Sequence, residues 1–76
     1  MVQIIVPDLG DGIDKVEVAL WHVKEGERTK KDDDLVEVVT DKASFNIPAP
    51  CDGILKKIVI PAGREAGIGE VLGEID

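Results

Sequence analysis

The chain contains two copies of one pattern. Moving Val18–Val38 along the sequence until Val18 meets Leu55, an offset of 37 positions, lays it on Leu55–Ile75. Trp21 then falls on Ile58, Val23 on Ile60, Gly26 on Gly63, Leu35 on Leu72, Glu37 on Glu74 and Val38 on Ile75. Upstream, Ile4-x-Val6-Pro7 matches Phe45-x-Ile47-Pro48 at an offset of 41, which makes the loop Asp8–Lys15 four residues longer than its partner Ala49–Asp52. Two copies are too few, and the period too long, for a solenoid. Neither copy is large enough to bury its own apolar face, so they must close on each other. The expected product is a pseudo-twofold sandwich or flattened barrel.

Local patterning makes that product all-β. Gly and Pro break the chain often, and β-branched residues fill the intervals, as in domains of short strands. Strands are expected at Gln3–Val6, Val16–Val23, Leu35–Val39, Ser44–Ile47, Ile54–Ile60 and Val71–Ile75. No window sustains a helical stripe. Glu25-Gly26 and Ala62-Gly63 place a glycine where a turn needs positive φ. Asp8-Leu9-Gly10-Asp11-Gly12 carries Asx and Gly turn chemistry. Pro7 and Pro48 cannot donate ladder hydrogen bonds and suit the ends of edge strands.

With 76 residues the chain is expected to be one domain, residues 1–76, with a small core and little room for an enclosed catalytic cleft. One Trp, one Phe and no Tyr leave the core to Val, Ile, Leu and Ala. Nine basic against sixteen acidic residues give a net charge of −7, which argues against nucleic acid or an anionic membrane as partner and is compatible with basic protein surfaces. The single cysteine, Cys51, allows no disulfide framework and no cysteine-based metal site, and fits a reducing compartment. The N-terminus shows no signal-peptide pattern, and no apolar run reaches transmembrane length.

Against this background one side chain stands out. Thr40-Asp41-Lys42-Ala43 joins two strand-like runs as a short polar link, which places Lys42 at a hairpin tip. Two readings are open: a solvated turn lysine, or a covalent attachment point whose amine projects from a rigid support. Acylation would remove the lysine charge and take the net charge from −7 to −8. The repeat favours the second reading. Lys42 lies where the first copy passes into the second, and the chain ends take the equivalent place in the second copy. The turn therefore belongs at the pole away from the termini, as cargo display requires.

Val6-Pro7-Asp8-Leu9-Gly10-Asp11-Gly12-Ile13, Trp21-His22-Val23-Lys24-Glu25-Gly26, Asp33-Asp34-Leu35-Val36-Glu37-Val38, Thr40-Asp41-Lys42-Ala43 and Ile47-Pro48-Ala49-Pro50 followed by Gly53 resemble the lipoyl domain of the acyltransferase component of 2-oxo acid dehydrogenase complexes. The likeness runs from about Val2 to Asp76. It implies a flattened barrel (a barrel-sandwich hybrid) of two four-stranded antiparallel sheets, with short strands near Thr29 and Ala66 added to the six above. It implies lipoic acid in amide linkage on Lys42, flanked by Asp41 and Ala43. The domain itself would be a non-catalytic carrier and part of an acyltransferase subunit. The implied partners are the 2-oxo acid decarboxylase, dihydrolipoamide dehydrogenase, the subunit's own acyltransferase catalytic domain and a lipoyl ligase, with the isolated domain monomeric. The implied setting is the bacterial or archaeal cytoplasm or the mitochondrial matrix. Gly26 and Glu37, with the loop residues Asp8, Leu9, Gly10, Asp11 and Gly12, are the expected recognition positions, the loop lying near Lys42.

Some positions depart from the family pattern. Thr29 stands where an aliphatic residue is usual and Ala66 is its small counterpart, so looser packing is expected there. Val39 replaces an acidic residue found in some relatives three places before the lysine. Ala43 resembles pyruvate and branched-chain complexes more than 2-oxoglutarate ones, where Val often follows the lysine. Rival readings are a biotinyl carrier, which typically flanks its lysine with methionines, and an unmodified lipoyl-like interaction module. The lipoylated carrier of glycine cleavage is longer and has added helices. His22 lacks a nucleophile partner for catalysis, and the contiguous Asp32-Asp33-Asp34 lacks the ligand spacing of a calcium loop.

Overall fold

The repeat becomes two sheets exchanged by a pseudo-twofold axis. A computed structural model describes residues 1–10 and 12–76. Its strands are β1 (Val2–Ile5), β2 (Lys15–Trp21), β3 (Arg28–Thr29), β4 (Asp34–Val39), β5 (Ser44–Pro48), β6 (Gly53–Ile58), β7 (Glu65–Gly67) and β8 (Val71–Ile75). One antiparallel sheet has the order β1-β8-β6-β3 and the other β5-β4-β2-β7. Replacing each strand of the first half by its counterpart four places later turns one order into the other. The two short strands implied near Thr29 and Ala66 are β3 and β7. The strands ending near Pro7 and Pro48 are edge strands, as the missing N–H groups require.

The offset of 37 holds for three of the four strand pairs and for the turns between them. Gly26 and Gly63 have φ of 91° and 92°. Gly26 N donates to Leu55 O, and Gly63 N donates to Val18 O, both at 2.7–2.8 Å. Each copy's tight turn thus bonds to the other copy, which is how units too small to fold alone stabilise one another.

The fourth pair corrects the expected alignment. Ile4 pairs with Gly73, and Ile47 pairs with Val36, the counterpart of Gly73. Ile4 is therefore equivalent to Ile47, an offset of 43 rather than 41. Both are buried, as are the next pair, Val6 and Ala49. Pro7 answers to Pro50, not Pro48, and the Asp8–Lys15 loop exceeds its partner by six residues, the difference between 43 and 37. The misleading signal was the shared Pro. A two-residue slip keeps every side chain on its own face, so alternation alone could not detect it.

β2 and β6 each end two residues earlier than their patterns suggest. After Trp21 and Ile58 the chain bends, and His22 N and Val59 N bond to Leu35 O and Leu72 O. Register shifts between Val18 and Leu20, and between Leu55 and Lys57, break the alternation within both strands. Leu20 consequently faces outward while Trp21 packs on the core and donates from Nε1 to Ile60 O at 3.0 Å. The core is the aliphatic set anticipated by composition, led by Leu35, Leu55, Leu72, Ile75, Val6, Val18, Val36 and Val38.

Thr29 and Ala66 are both buried, and the Thr29 hydroxyl has no hydrogen-bond partner among the described residues. An orphaned buried hydroxyl costs about 1–3 kcal/mol of desolvation. Thr29→Val, which keeps the shape and removes the polar atom, is expected to stabilise the domain by about 1 kcal/mol, raising Tm by roughly 4–8 °C. Thermal unfolding of the two proteins side by side measures it; an unchanged or lower Tm would show that the hydroxyl is satisfied in solution.

Candidate functional site

The connection between β4 and β5 is Thr40-Asp41-Lys42-Ala43, and its conformation is fixed by its first side chain. Thr40 Oγ1 accepts hydrogen bonds from Lys42 N and Ala43 N, both at 3.1 Å, and donates to Ala43 O at 3.2 Å. Thr40 N also donates to Ala43 O at 2.8 Å. One hydroxyl thus uses its donor and both of its acceptor sites within the turn. Asp41, Lys42 and Ala43 are exposed, and no ion pair holds the Lys42 amine among the described residues. The lysine is a displayed primary amine on an ordered support.

A groove runs beside the turn. It is lined by Gly12–Glu17, by Val39–Lys42 and by Glu65 of β7, which pairs with Glu17. The long β1–β2 loop therefore does lie next to Lys42, as expected. Asp8 Oδ1 accepts from Gly10 N at 2.9 Å and Ile13 N donates to Gly10 O at 3.0 Å, which gives the loop internal order. Leu9 and Ile13 pack on the core and anchor it. Gly10 and Gly12 have φ of 76° and 74°, a conformation other residues adopt only with strain. The groove carries the carboxylates of Asp14, Glu17, Asp41 and Glu65 against Lys15 and Lys42. Lys15 Nζ stands 3.8 Å from Glu65 Oε2 across the β2–β7 pair.

Not every expected residue gathers here. Gly12, Asp41 and Lys42 share the groove, and Ala43 closes the turn. Asp8, Leu9 and Gly10 belong to the adjoining loop; Asp11 lies outside the described residues. Glu37 sits mid-strand on β4, half-buried between Leu20 and Asn46. Gly26 is elsewhere: it bonds to Leu55, whose strand pairs with β8 near the C-terminus. The chain ends take the place of the turn's counterpart, with Val2 opposite Ile75 as Phe45 is opposite Val38.

His22, in the bend just after β2, places Nε2 2.9 Å from Asn46 Oδ1 of β5, an exposed tie that holds no nucleophile. Of the Asp32-Asp33-Asp34 run, Asp34 opens β4, and Asp32 and Asp33 form a turn that holds the end of β5: Asp32 N bonds to Ala49 O, and Ala49 N to Asp33 O. Asp32 takes φ of 73° where the counterpart is Gly69, at 87°. Thr40 was missed as a functional residue, although a Thr opening a short hairpin link is a known turn signal. Glu65 had no signal, because its three-residue strand is too short to show periodicity.

The match to known proteins is nearly end to end. A biotin/lipoyl family model, described as "Biotin-requiring enzyme", matches residues 2–75. The chain belongs to the biotin/lipoyl domain family. Within that family its solved neighbours are lipoyl domains. The lipoyl domain of the 2-oxoglutarate dehydrogenase complex from Azotobacter vinelandii superposes with a TM-score of 0.80 at 34% identity, covering 100% of this chain and 96% of that one. The lipoyl domain of the dihydrolipoyl succinyltransferase component of the Escherichia coli 2-oxoglutarate dehydrogenase complex gives 0.77 at 39% identity, covering 97% and 92%. Among curated proteins, the dihydrolipoyllysine-residue succinyltransferase component of 2-oxoglutarate dehydrogenase complex from Rickettsia felis is 41% identical over 99% of this chain. The dihydrolipoyllysine-residue acetyltransferase component of pyruvate dehydrogenase complex from Staphylococcus aureus is 38% identical over 93%. The lipoyl-type domain seen here spans only 19% and 16% of the length of those two relatives.

Proposed function

We propose that this domain carries lipoic acid in amide linkage on Lys42 and moves acyl groups and reducing equivalents between the active sites of a 2-oxo acid dehydrogenase complex. The observation that carries the reading is an exposed, ordered lysine turn in a chain whose lipoyl-domain neighbours match it over nearly their whole length. The residues present fit the group. The amine is accessible for acylation, and the turn that bears it is closed by Thr40 without help from the lysine side chain. When bound, lipoic acid supplies a dithiolane that takes up an acyl group together with electrons. The chain supplies display and tethering: Lys42 extends the arm from the pole away from the termini, and tethering through those termini raises the arm's effective concentration at each partner.

The partners in this reading are a decarboxylase, an acyltransferase catalytic domain and dihydrolipoamide dehydrogenase, with a lipoyl ligase acting first. The domain performs no chemistry of its own. A biotinyl role has less support, because Asp41 and Ala43 flank the lysine where biotinyl carriers typically place methionines. The choice of complex moves away from the expectation drawn from Ala43. The two solved neighbours described above and the Rickettsia relative belong to 2-oxoglutarate complexes, so a 2-oxoglutarate complex is the preferred setting.

Reductive acylation of the lipoylated domain by 2-oxoglutarate, pyruvate and branched-chain 2-oxo acid decarboxylases tests this. The 2-oxoglutarate enzyme is expected to lead in kcat/KM by at least about tenfold, a discrimination of about 1.4 kcal/mol. Equal rates would remove the substrate assignment; no acylation by any of the three would sink the carrier reading.

A further inference from the structure

We infer that Thr40 is the positioning residue for modification of Lys42, acting through the backbone of the turn rather than by touching the incoming group. The inference rests on the carrier reading above. It begins from how the turn is closed. Two-residue hairpin links rely on a glycine or asparagine at positive φ, whereas four-residue links are most often built around a type I turn, which needs none. The link between β4 and β5 has four residues and no glycine. Among the described non-glycine residues only Asp32 has positive φ, so Thr40, Asp41, Lys42 and Ala43 all lie outside the left-handed region. The backbone closes the link with one bond, Thr40 N to Ala43 O. Ala43 N turns instead to the Thr40 hydroxyl, as does Lys42 N.

The hydroxyl therefore substitutes for a backbone acceptor. It also fixes the peptide on either side of the Lys42 Cα, because it holds both the Lys42 and the Ala43 N–H. The direction in which the lysine side chain leaves the fold follows from those two peptides. Asp41 and Ala43 flank the lysine in sequence, but neither side chain holds the turn among the hydrogen bonds of the described residues. Asp41 lines the groove, and Ala43 contributes only its main chain. A ligase that reads the turn as a shape reads a shape set by Thr40. Without the hydroxyl the link samples several closures, and the ligase's apparent affinity falls with the fraction that remains competent.

Thr40→Val, Thr40→Ser and the parent domain, each produced unmodified, are compared in two measurements. Amide exchange by NMR is expected to accelerate in Thr40→Val at Lys42 and Ala43, with core amides on β4, β6 and β8 unchanged. Lipoylation by a purified ligase, followed by intact mass, is expected to fall about tenfold in kcat/KM, mostly through KM, as the competent fraction drops to roughly a tenth. Thr40→Ser, which keeps the oxygen, restores both. A residue that only stabilises the domain would move core exchange and Tm, and its loss would not be local. Equal modification of Thr40→Val and the parent, or a Thr40→Ser as slow as Thr40→Val, would overturn the inference and leave the carrier reading standing. A parent domain that the ligase never modifies would overturn both.

Discussion

Lys42→Arg is expected to yield a folded domain that no lipoyl ligase modifies. Arginine keeps the positive charge and much of the length, so the field around the turn is preserved. It does not keep the nucleophile: a guanidinium stays protonated at any pH a protein tolerates, whereas a lysine amine can lose its proton and attack an activated acyl group. The side chain is exposed, and the hydrogen bonds of the turn are made by Thr40 and the main chain. The change should therefore leave stability within about 0.5 kcal/mol, as for other surface substitutions without a special contact. Intact mass after co-expression with a ligase is the measurement. A mass gain in the parent and none in Lys42→Arg assigns the site. A gain in both would place the modification on another of the lysines. The exposed ones on β6, Lys56 and Lys57, are the instructive controls, because they sit within a strand instead of at a turn tip.

The repeat at an offset of 37 carried most of the fold. It anticipated a twofold arrangement, and the structure realises it down to individual bonds, since the Gly26 and Gly63 turns reach across to Leu55 and Val18. The first strand of each copy was harder to place. Its apolar residues recur every second position, so Ile4 fits Phe45 or Ile47 equally well by pattern. Only pairing with β8 and β4 distinguishes them. β3 and β7 were legible only through family resemblance, being too short to show any alternation. The same held at the site. Lys42 could be read from its flanking strands. The groove could be read only in part, because Glu65 reaches it from β7 and is brought there by the pairing of β7 with β2.

The twofold is broken in the core at Trp21 and Gly73, and that place predicts the largest loss of stability. Trp21 pairs across strands with Val36, and the equivalent pair in the other sheet is Ile58 with Gly73. The large residue of one pair is accommodated by the absent side chain of the other. A Cβ built on Gly73 would lie 2.6 Å from Lys57 O and 3.0 Å from Trp21 Cη2. Both are closer than real Cβ atoms come without displacement. The ring is tied by its Nε1 bond to Ile60 O and must still give by a few tenths of an ångström, and the carbonyl, the closer contact, belongs to the neighbouring strand's backbone.

Gly73→Ala is therefore expected to cost about 3 kcal/mol, the upper part of the usual range for overpacking. In a domain of this size that is a Tm loss of roughly 12–24 °C at about 4–8 °C per kcal/mol. Total stability is on the order of 5 kcal/mol for small domains, so the variant would sit near its unfolding threshold at room temperature. Adding Trp21→Ile, the residue at the equivalent position, separates the two contacts. It removes the ring but leaves Lys57 O in place, and it forfeits the packing of the indole. The double variant should consequently remain well below the parent. Thermal and urea unfolding of the three proteins decides the matter: a Gly73→Ala within about 2 °C of the parent, less than the shift expected for 1 kcal/mol, would show that β6 and β8 can move apart without loss. The sheet would then be softer at its centre than the close approach of Gly73 to Lys57 requires.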